Sequence, residues 1–376
     1  MLAAMVGSGH DRFRWPLEDG GAEGRLFDGP GADRHVGRGE YRGLEFLHVN
    51  ARTIINRVPP SSRMSFRYTI NAYRGCSHAC TYCFARPTHE FLGLGVGEDF
   101  ERRIVIKVNA VALARAELSS PRWGGDLIAM GTNTDPYQAA EGKYHLTQGI
   151  IGALSQRRNP FSILTKSTLV LRDLRPLAEA SRRTHVRVNL SIGTLDREVW
   201  RLTEPGTPPP GQRVEAVSRL NDAGVACGVL VAPLLPGLSD SDQQVAEVVT
   251  ACRRAGAVSV TPVVLHLRPG VREHYLSWLA TTRPDLLELY EQRFGGRSYQ
   301  PRVEQARLSD LVAKLMGVTR GMKPSAEKYN SEHASSGDKG QTHRQPMAAA
   351  VGDGPVHQLP ACPATGPVQL ELFTGR

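Results

Sequence analysis

Residues 71–86 read NAYRGCSHACTYCFAR, and three of the chain's six cysteines, Cys76, Cys80 and Cys83, fall inside this stretch. Their spacing is C-x3-C-x2-C. Thiolates this close share one loop and converge on one centre; they do not serve as three separate core residues. Clusters of four irons are ordinarily held by four cysteines, so a set of three leaves one iron open. An open iron is where a small molecule binds and reacts. Tyr82, directly before the last cysteine, is placed to pack beside such a cluster and shield it from water. The rival reading is a zinc site completed by His78 or His89, although zinc knuckles usually use two well-separated pairs. A disulfide role fits less well, because three clustered cysteines do not pair evenly and no secretory h-region follows Met1.

Outward from this stretch the chain alternates. Strands are expected over residues 68–73, 127–131, 161–165, 186–192, 225–232 and 258–265. Helices are expected over 109–119, 145–158, 169–183, 196–202, 212–223, 240–255, 272–279, 284–294 and 303–316. Asn159-Pro160 stops the second of these helices, Pro176 sits inside the third, and Ser239 or Asp240 caps the sixth. Strands alternating with helices argue for parallel βα units. The count is too low for a closed eight-fold barrel and fits a partial (βα)6 barrel of the TIM type, with an open doubly wound sheet as the alternative. In either, ligands sit at the carboxyl ends of the strands. The cysteine loop lies just past the first strand, where that rule wants it.

The flanks differ from this middle. Residues 1–40 are rich in Gly, Arg and Asp and read as a flexible leader. Residues 41–67 read as a lead-in segment packed on the core edge, with Pro59-Pro60 forcing an extended turn. The barrel spans 68–320, and residues 321–376 read as a disordered tail. No apolar run approaches the ~18 residues of a membrane span, so a cytoplasmic protein with no membrane partner is expected. The formal net charge is +9 over 376 residues. That balance suits a polyanionic partner, and an arginine-rich proteome would produce it equally well.

C-x3-C-x-aromatic-C resembles the signature of the radical S-adenosylmethionine (SAM) enzymes. The resemblance implies a 4Fe-4S cluster held by Cys76, Cys80 and Cys83, with SAM on the open iron. It also implies reductive cleavage of SAM to methionine and a 5′-deoxyadenosyl radical, and the partial barrel as fold. A reductant such as flavodoxin or ferredoxin is the implied electron partner. The string Thr132 to Gln138, TNTDPYQ, followed by Glu141, resembles the spore-photoproduct-lyase-like, DNA-repair-photolyase-like branch of actinobacterial proteins. There Asn133 and Asp135 lie where the amino group of SAM is received; an Asx-turn at a helix start explains the same residues. Lys166, ending the third strand, is expected to point its ammonium at the pocket mouth and meet the SAM carboxylate. Ser191, near the end of the fourth strand, is a further candidate for the carboxylate or ribose. A solvent-facing lysine and a serine bonded to a neighbouring strand are the plain alternatives.

APLLPG, residues 232–237, looks like the family's turn beside the adenosine. His266 and Arg268 leave the sixth strand, where main-chain groups meet adenine in the family; their side chains are expected to face the substrate, Arg268 a phosphate of nucleic acid, with a surface arginine as the plain alternative. Cys227 and Cys252 read as buried small hydrophobes, and Cys362 has no assigned role. Photoproduct lyases use one extra cysteine near the end of the second strand as hydrogen-atom donor, and this chain has none in GTNTDPYQ. Gln369, Leu370, Leu372 and Phe373, within QLELF, resemble the peptide by which bacterial repair proteins dock on the DNA sliding clamp. The expectation is a radical SAM enzyme acting on damaged or modified DNA or RNA. Radical modification of a protein or small metabolite is the second reading, and a non-enzymatic zinc-stabilised binding protein is the third.

Overall fold

The structure is a computed structural model that describes residues 33–317 apart from 60, 61 and 63. The tail and its QLELF peptide, and the leader up to residue 32, lie outside the described residues. The strands are β1 (Asp33–Val36), β2 (Glu45–Val49), β3 (Ile55–Arg57), β4 (Tyr68–Ile70), β5 (Tyr73–Arg74), β6 (Arg103–Lys107), β7 (Ile128–Met130), β8 (Phe161–Thr165), β9 (Val186–Ser191), β10 (Cys227–Leu234) and β11 (Val260–Val264). The helices are α1 (Glu98–Arg102), α2 (Ala110–Leu118), α3 (Ala139–Tyr144), α4 (Leu146–Gln156), α5 (Leu174–Ser181), α6 (Arg197–Thr203), α7 (Pro210–Asp222), α8 (Asp242–Arg254), α9 (Val271–Thr282), α10 (Leu287–Phe294) and α11 (Arg302–Met316).

One sheet runs in the order β11-β10-β9-β8-β7-β4-β3. From β4 to β11 every neighbouring pair is parallel, and β3 adds an antiparallel edge beside β4. This is the partial barrel, with six parallel strands. Val186, Val188 and Leu190 of β9 and Phe161 and Ile163 of β8 are buried in its core, as period-two alternation requires. α11 packs on α8 and β11 at the far edge. No helix among the described residues is long and apolar enough to cross a membrane.

A second sheet was not foreseen. Its order is β1-β2-β6-β5, and β5 pairs antiparallel with β6 through Tyr73↔Ile106 and Arg74↔Val105. The stretch expected as one strand over 68–73 is therefore two. β4 belongs to the barrel, and β5 leaves it for the second sheet immediately before the cysteine loop. β1 also corrects the leader, because Asp33–Val36 is a strand paired with β2.

Local chemistry explains the helix ends. Ser241, not Ser239 or Asp240, caps α8, its hydroxyl accepting from Gln244 N. Ser239 instead receives Leu235 N, and Asp240 receives Gly237 N. Residues 169–183 open as a 3-10 turn, Thr168–Asp173, before α5 begins. Pro176 then falls in the first turn of α5, where its missing N–H costs no helical hydrogen bond. Glu141 is fully buried, and its carboxylate accepts Thr147 N and Gln148 N at the start of α4, doing the work of a cap.

Candidate active site

The cysteine loop is fixed by its main chain. Gly75 has φ +75°, and a β-carbon there would meet Phe100 O at 2.9 Å. Cys76 N donates to Phe100 O at 2.8 Å. Gln138 spans the loop, donating to Gly75 O at 2.9 Å and accepting from Ser77 N at 3.0 Å. Arg86, fully buried, donates to Cys80 O from Nε at 3.1 Å and Nη2 at 2.8 Å, and pairs with Glu101 at 2.5 Å. On the opposite side the α6–α7 connection closes on the loop. Thr81 N donates to Thr203 O at 3.0 Å, and Gly206 N to His78 O at 3.0 Å.

Cys76, Cys80 and Cys83 all line one open-mouthed cavity of about 880 Å³, solvent at its mouth included. The cavity lies at the carboxyl ends of the barrel strands, where Gly131, Asn133, Thr134 and Asp135 after β7, Lys166 after β8 and Ser191 of β9 also face it. All five cysteines among the described residues are free thiols. Burial pushes the Cys80 thiol up to about 12, with Glu204 adding to the rise. Burial raises Cys76 and Cys83 as well. Thiolates here need a cationic centre to compensate for lost water, and irons of a cluster provide one. Three thiols around one cavity thus fit a 4Fe-4S cluster. Among the described residues, no three His, Cys, Asp or Glu side chains stand as a group that would hold a single metal ion. The residues named for the zinc alternative have other tasks: His89 donates from Nε2 to Arg103 O at 3.1 Å, and His78 Nδ1 faces Asp135 Oδ2 at 3.3 Å.

The polar wall departs from expectation. Asp135 was expected to receive an amino group, but its oxygens are engaged by Thr165 Oγ1 at 2.6 Å, Tyr137 N at 2.9 Å, Lys166 N at 2.7 Å and His78. Burial opposes its charge, and the His78, Thr165 and Lys166 contacts outweigh that and hold its carboxyl below the ordinary value. Asp135 is the tie between the cysteine loop and the end of β8. Asn133 differs: it is 7% exposed, and its Oδ1 is buried with no partner. Lys166 lines the cavity, and its ammonium is held by the protein itself, at Ser191 Oγ at 2.7 Å, Glu204 Oε1 at 3.0 Å and Ala232 O at 3.1 Å. Ser191 donates in turn to Ala232 O at 2.9 Å, the neighbouring-strand bond anticipated as the plain reading. Tyr82 is buried, and its hydroxyl is held by Glu204.

Sequence reasoning missed Glu204 and Arg213. Glu204 Oε2 pairs with Arg213 Nη2 at 2.5 Å, and Arg213 also donates to Ser191 O at 3.0 Å and Pro208 O at 2.9 Å. Burial pushes the Glu204 carboxyl up, but Arg213 and Lys166 outweigh it and hold it at about 2. The only hint in the sequence is a carboxylate beside Pro-Gly between the helices expected over 196–202 and 212–223. The remaining walls are apolar, with Leu164, Leu230, Val263 and Leu265, and His266 lies on the cavity. His266 stacks on Tyr299, ring centroids 4.1 Å apart. Arg268 is not among the residues lining the cavity. Cys227 and Cys252 are fully buried in the barrel core, as small hydrophobes are.

A partial barrel with three thiols in the loop after β5, on one cavity at the carboxyl ends of its strands, defines a cluster-bearing enzyme class. Residues 70–249 match the radical SAM superfamily. An uncharacterized protein of Mycobacterium tuberculosis is 42% identical over 305 residues, covering 81% of this chain and 89% of that protein. An uncharacterized protein of Methanocaldococcus jannaschii is 28% identical over 204 residues, covering 54% and 73%. Among solved structures, spore photoproduct lyase complexed with dinucleoside spore photoproduct is similar at TM-score 0.53 and 20% identity, over 72% of this chain and 78% of that one. A double mutant of that lyase with bound AdoMet and the dinucleoside is similar at TM-score 0.52 and 19% identity, over the same shares. These structural likenesses speak to the fold. The chain belongs to the radical SAM superfamily. It is an enzyme of that superfamily, whose cofactors are a 4Fe-4S cluster and SAM.

Proposed function

We propose that Cys76, Cys80 and Cys83 hold three irons of the cluster and that the polar wall beside them takes the amino-acid end of SAM. The observation that carries this is the meeting of all three thiols, Asn133, Lys166 and Ser191 on one cavity. When bound, the cluster supplies one electron that splits the sulfonium of SAM into methionine and a 5′-deoxyadenosyl radical. Asn133 offers its unpartnered Oδ1 to the ammonium of the ligand. Lys166 and Arg213 against the single Glu204 leave one positive charge in excess, which attracts the ligand's carboxylate. Ser191 steadies Lys166 and is the second group at that wall. Asp135 acts through its neighbours, holding Lys166 N and His78. Tyr82 covers the cluster side, and the apolar walls exclude water from the adenosine.

The proposed substrate is damaged or modified nucleic acid. Support comes from the formal charge of +9 and from the fold shared with a lyase solved with a dinucleoside photoproduct. A damaged base in duplex would have to turn out of the stack to reach this cavity. The thiols that line the cavity are Cys76, Cys80 and Cys83. No further cysteine stands in GTNTDPYQ to return a hydrogen atom as in photoproduct lyases, and this favours a different outcome for the substrate radical. A soluble reductant such as flavodoxin or ferredoxin, in the cytoplasm, completes the reading. The test is anaerobic incubation of the cluster-loaded protein with reductant and SAM, with 5′-deoxyadenosine measured as lesion-bearing DNA, undamaged DNA or RNA is added. Stimulation by one of these supports the reading. Release that no nucleic acid alters points to a protein or metabolite substrate, and no release in any mixture overturns it.

A further inference from the structure

A lysine ammonium has three N–H donors. In Lys166 the protein takes all three: Ser191 Oγ at 2.7 Å, Glu204 Oε1 at 3.0 Å and Ala232 O at 3.1 Å. A ligand carboxylate that binds Lys166 must therefore displace one of them. Ala232 O is main chain fixed in β10, and Ser191 Oγ is tied to that same oxygen at 2.9 Å. Glu204 is the one anionic partner of the three, and it has other partners to keep. Arg213 Nη2 stands 2.5 Å from its second oxygen, Thr207 Oγ1 lies at 3.4 Å, and the Tyr82 hydroxyl binds the first. It can release Lys166 without becoming a bare buried charge, which would be very costly.

We propose that Glu204 is a positioning residue that holds Lys166 in place of the ligand's carboxylate and competes with it, thereby setting the cavity's affinity for the amino-acid end of SAM. The proposal rests on the assignment of Lys166 to that carboxylate. The exchange preserves pairing, since Arg213 keeps Glu204 while Lys166 passes from one carboxylate to another. In the ligand-free protein Lys166 is thus held within 5.5 Å of the Tyr82 ring, close to its working place, and is not left to search solvent. The cost of this readiness is weaker binding, because the incoming carboxylate replaces an existing ion pair.

The test uses full-length, cluster-loaded protein and equilibrium dialysis with two probes. S-adenosylhomocysteine keeps the amino-acid end and has no sulfonium to split; 5′-methylthioadenosine lacks that end. Glu204→Gln removes the competing charge and is expected to tighten S-adenosylhomocysteine binding about tenfold, with 5′-methylthioadenosine unchanged. Glu204→Asp draws the carboxylate back from Lys166 while leaving Arg213 a charged partner. It should shift binding the same way by less, and it decides the matter if the Gln variant does not fold. Lys166→Met should weaken only S-adenosylhomocysteine. If folded Glu204 variants bind it no more tightly than the parent while Lys166→Met still weakens it, competition is wrong and the Lys166 assignment survives. If Lys166→Met binds it as the parent does, the assignment fails and the proposal with it.

Discussion

Gly206 lies so close to Ser77 that a β-carbon on it would meet the Ser77 carbonyl oxygen at 2.2 Å and His78 Cα at 2.9 Å. Both neighbours are main chain of the cysteine loop, so neither can move without moving the thiols. Gly206→Ala is expected to lower iron per chain after anaerobic reconstitution. Gly211, with open space at its β-carbon position on α7, is the control. Gly211→Ala should keep the iron and stabilise the chain by up to about 1 kcal/mol. Equal iron in the two variants would separate the α6–α7 connection from loop geometry.

Arg86 replaces water around the loop's outer carbonyls. Truncation to Met leaves Cys80 O and Val96 O without their donor and Glu101 without its cation. The expected loss is about 3 kcal/mol, read by anaerobic urea unfolding. Arg86→Lys should recover little, because one ammonium does not reproduce the planar fork that reaches both carbonyls.

His89 is buried, and burial lowers its pKa to about 4 from the ordinary 6.5. The folded state therefore keeps the ring neutral while the unfolded chain takes up a proton below 6.5. Stability is full above that value and falls as pH drops from 6.5 towards 4, by about 3 kcal/mol at the lower end. His89→Gln, which retains a donor for Arg103 O, should flatten this slope. Parallel slopes for parent and variant between pH 6.5 and 4 would assign the loss to another group.

Asn133 holds a buried acceptor without a donor. Such a group costs about 1–3 kcal/mol, so Asn133→Ala should leave the ligand-free protein as stable as the parent or more so. The same change should raise the dialysis Kd for S-adenosylhomocysteine several-fold. A destabilised variant with unaltered Kd would make Asn133 a packing residue.

The sequence alone determined the three thiols, the six parallel strands and the end of the barrel at which the chemistry lies. These follow from local facts: a C-x3-C-x2-C spacing confines three side chains to one loop, and apolar periodicity marks buried strands. It did not show that β5 leaves the barrel for a second sheet, since pairing of Tyr73 with Ile106 depends on register across a stretch with no assigned element. It placed Asp135 and Lys166 at the cavity but did not show which groups of the protein hold them. Which oxygen takes which proton is settled by neighbours far along the chain, such as Thr165 for Asp135 and Glu204 for Lys166. Glu204 and Tyr82, 122 residues apart, meet only because the α6–α7 connection folds over the cysteine loop. Only the tertiary structure decided that the charges of Asp135, Lys166, Glu204 and Arg213 beside the thiols are already paired, because burial forces a charge to find a partner within the protein.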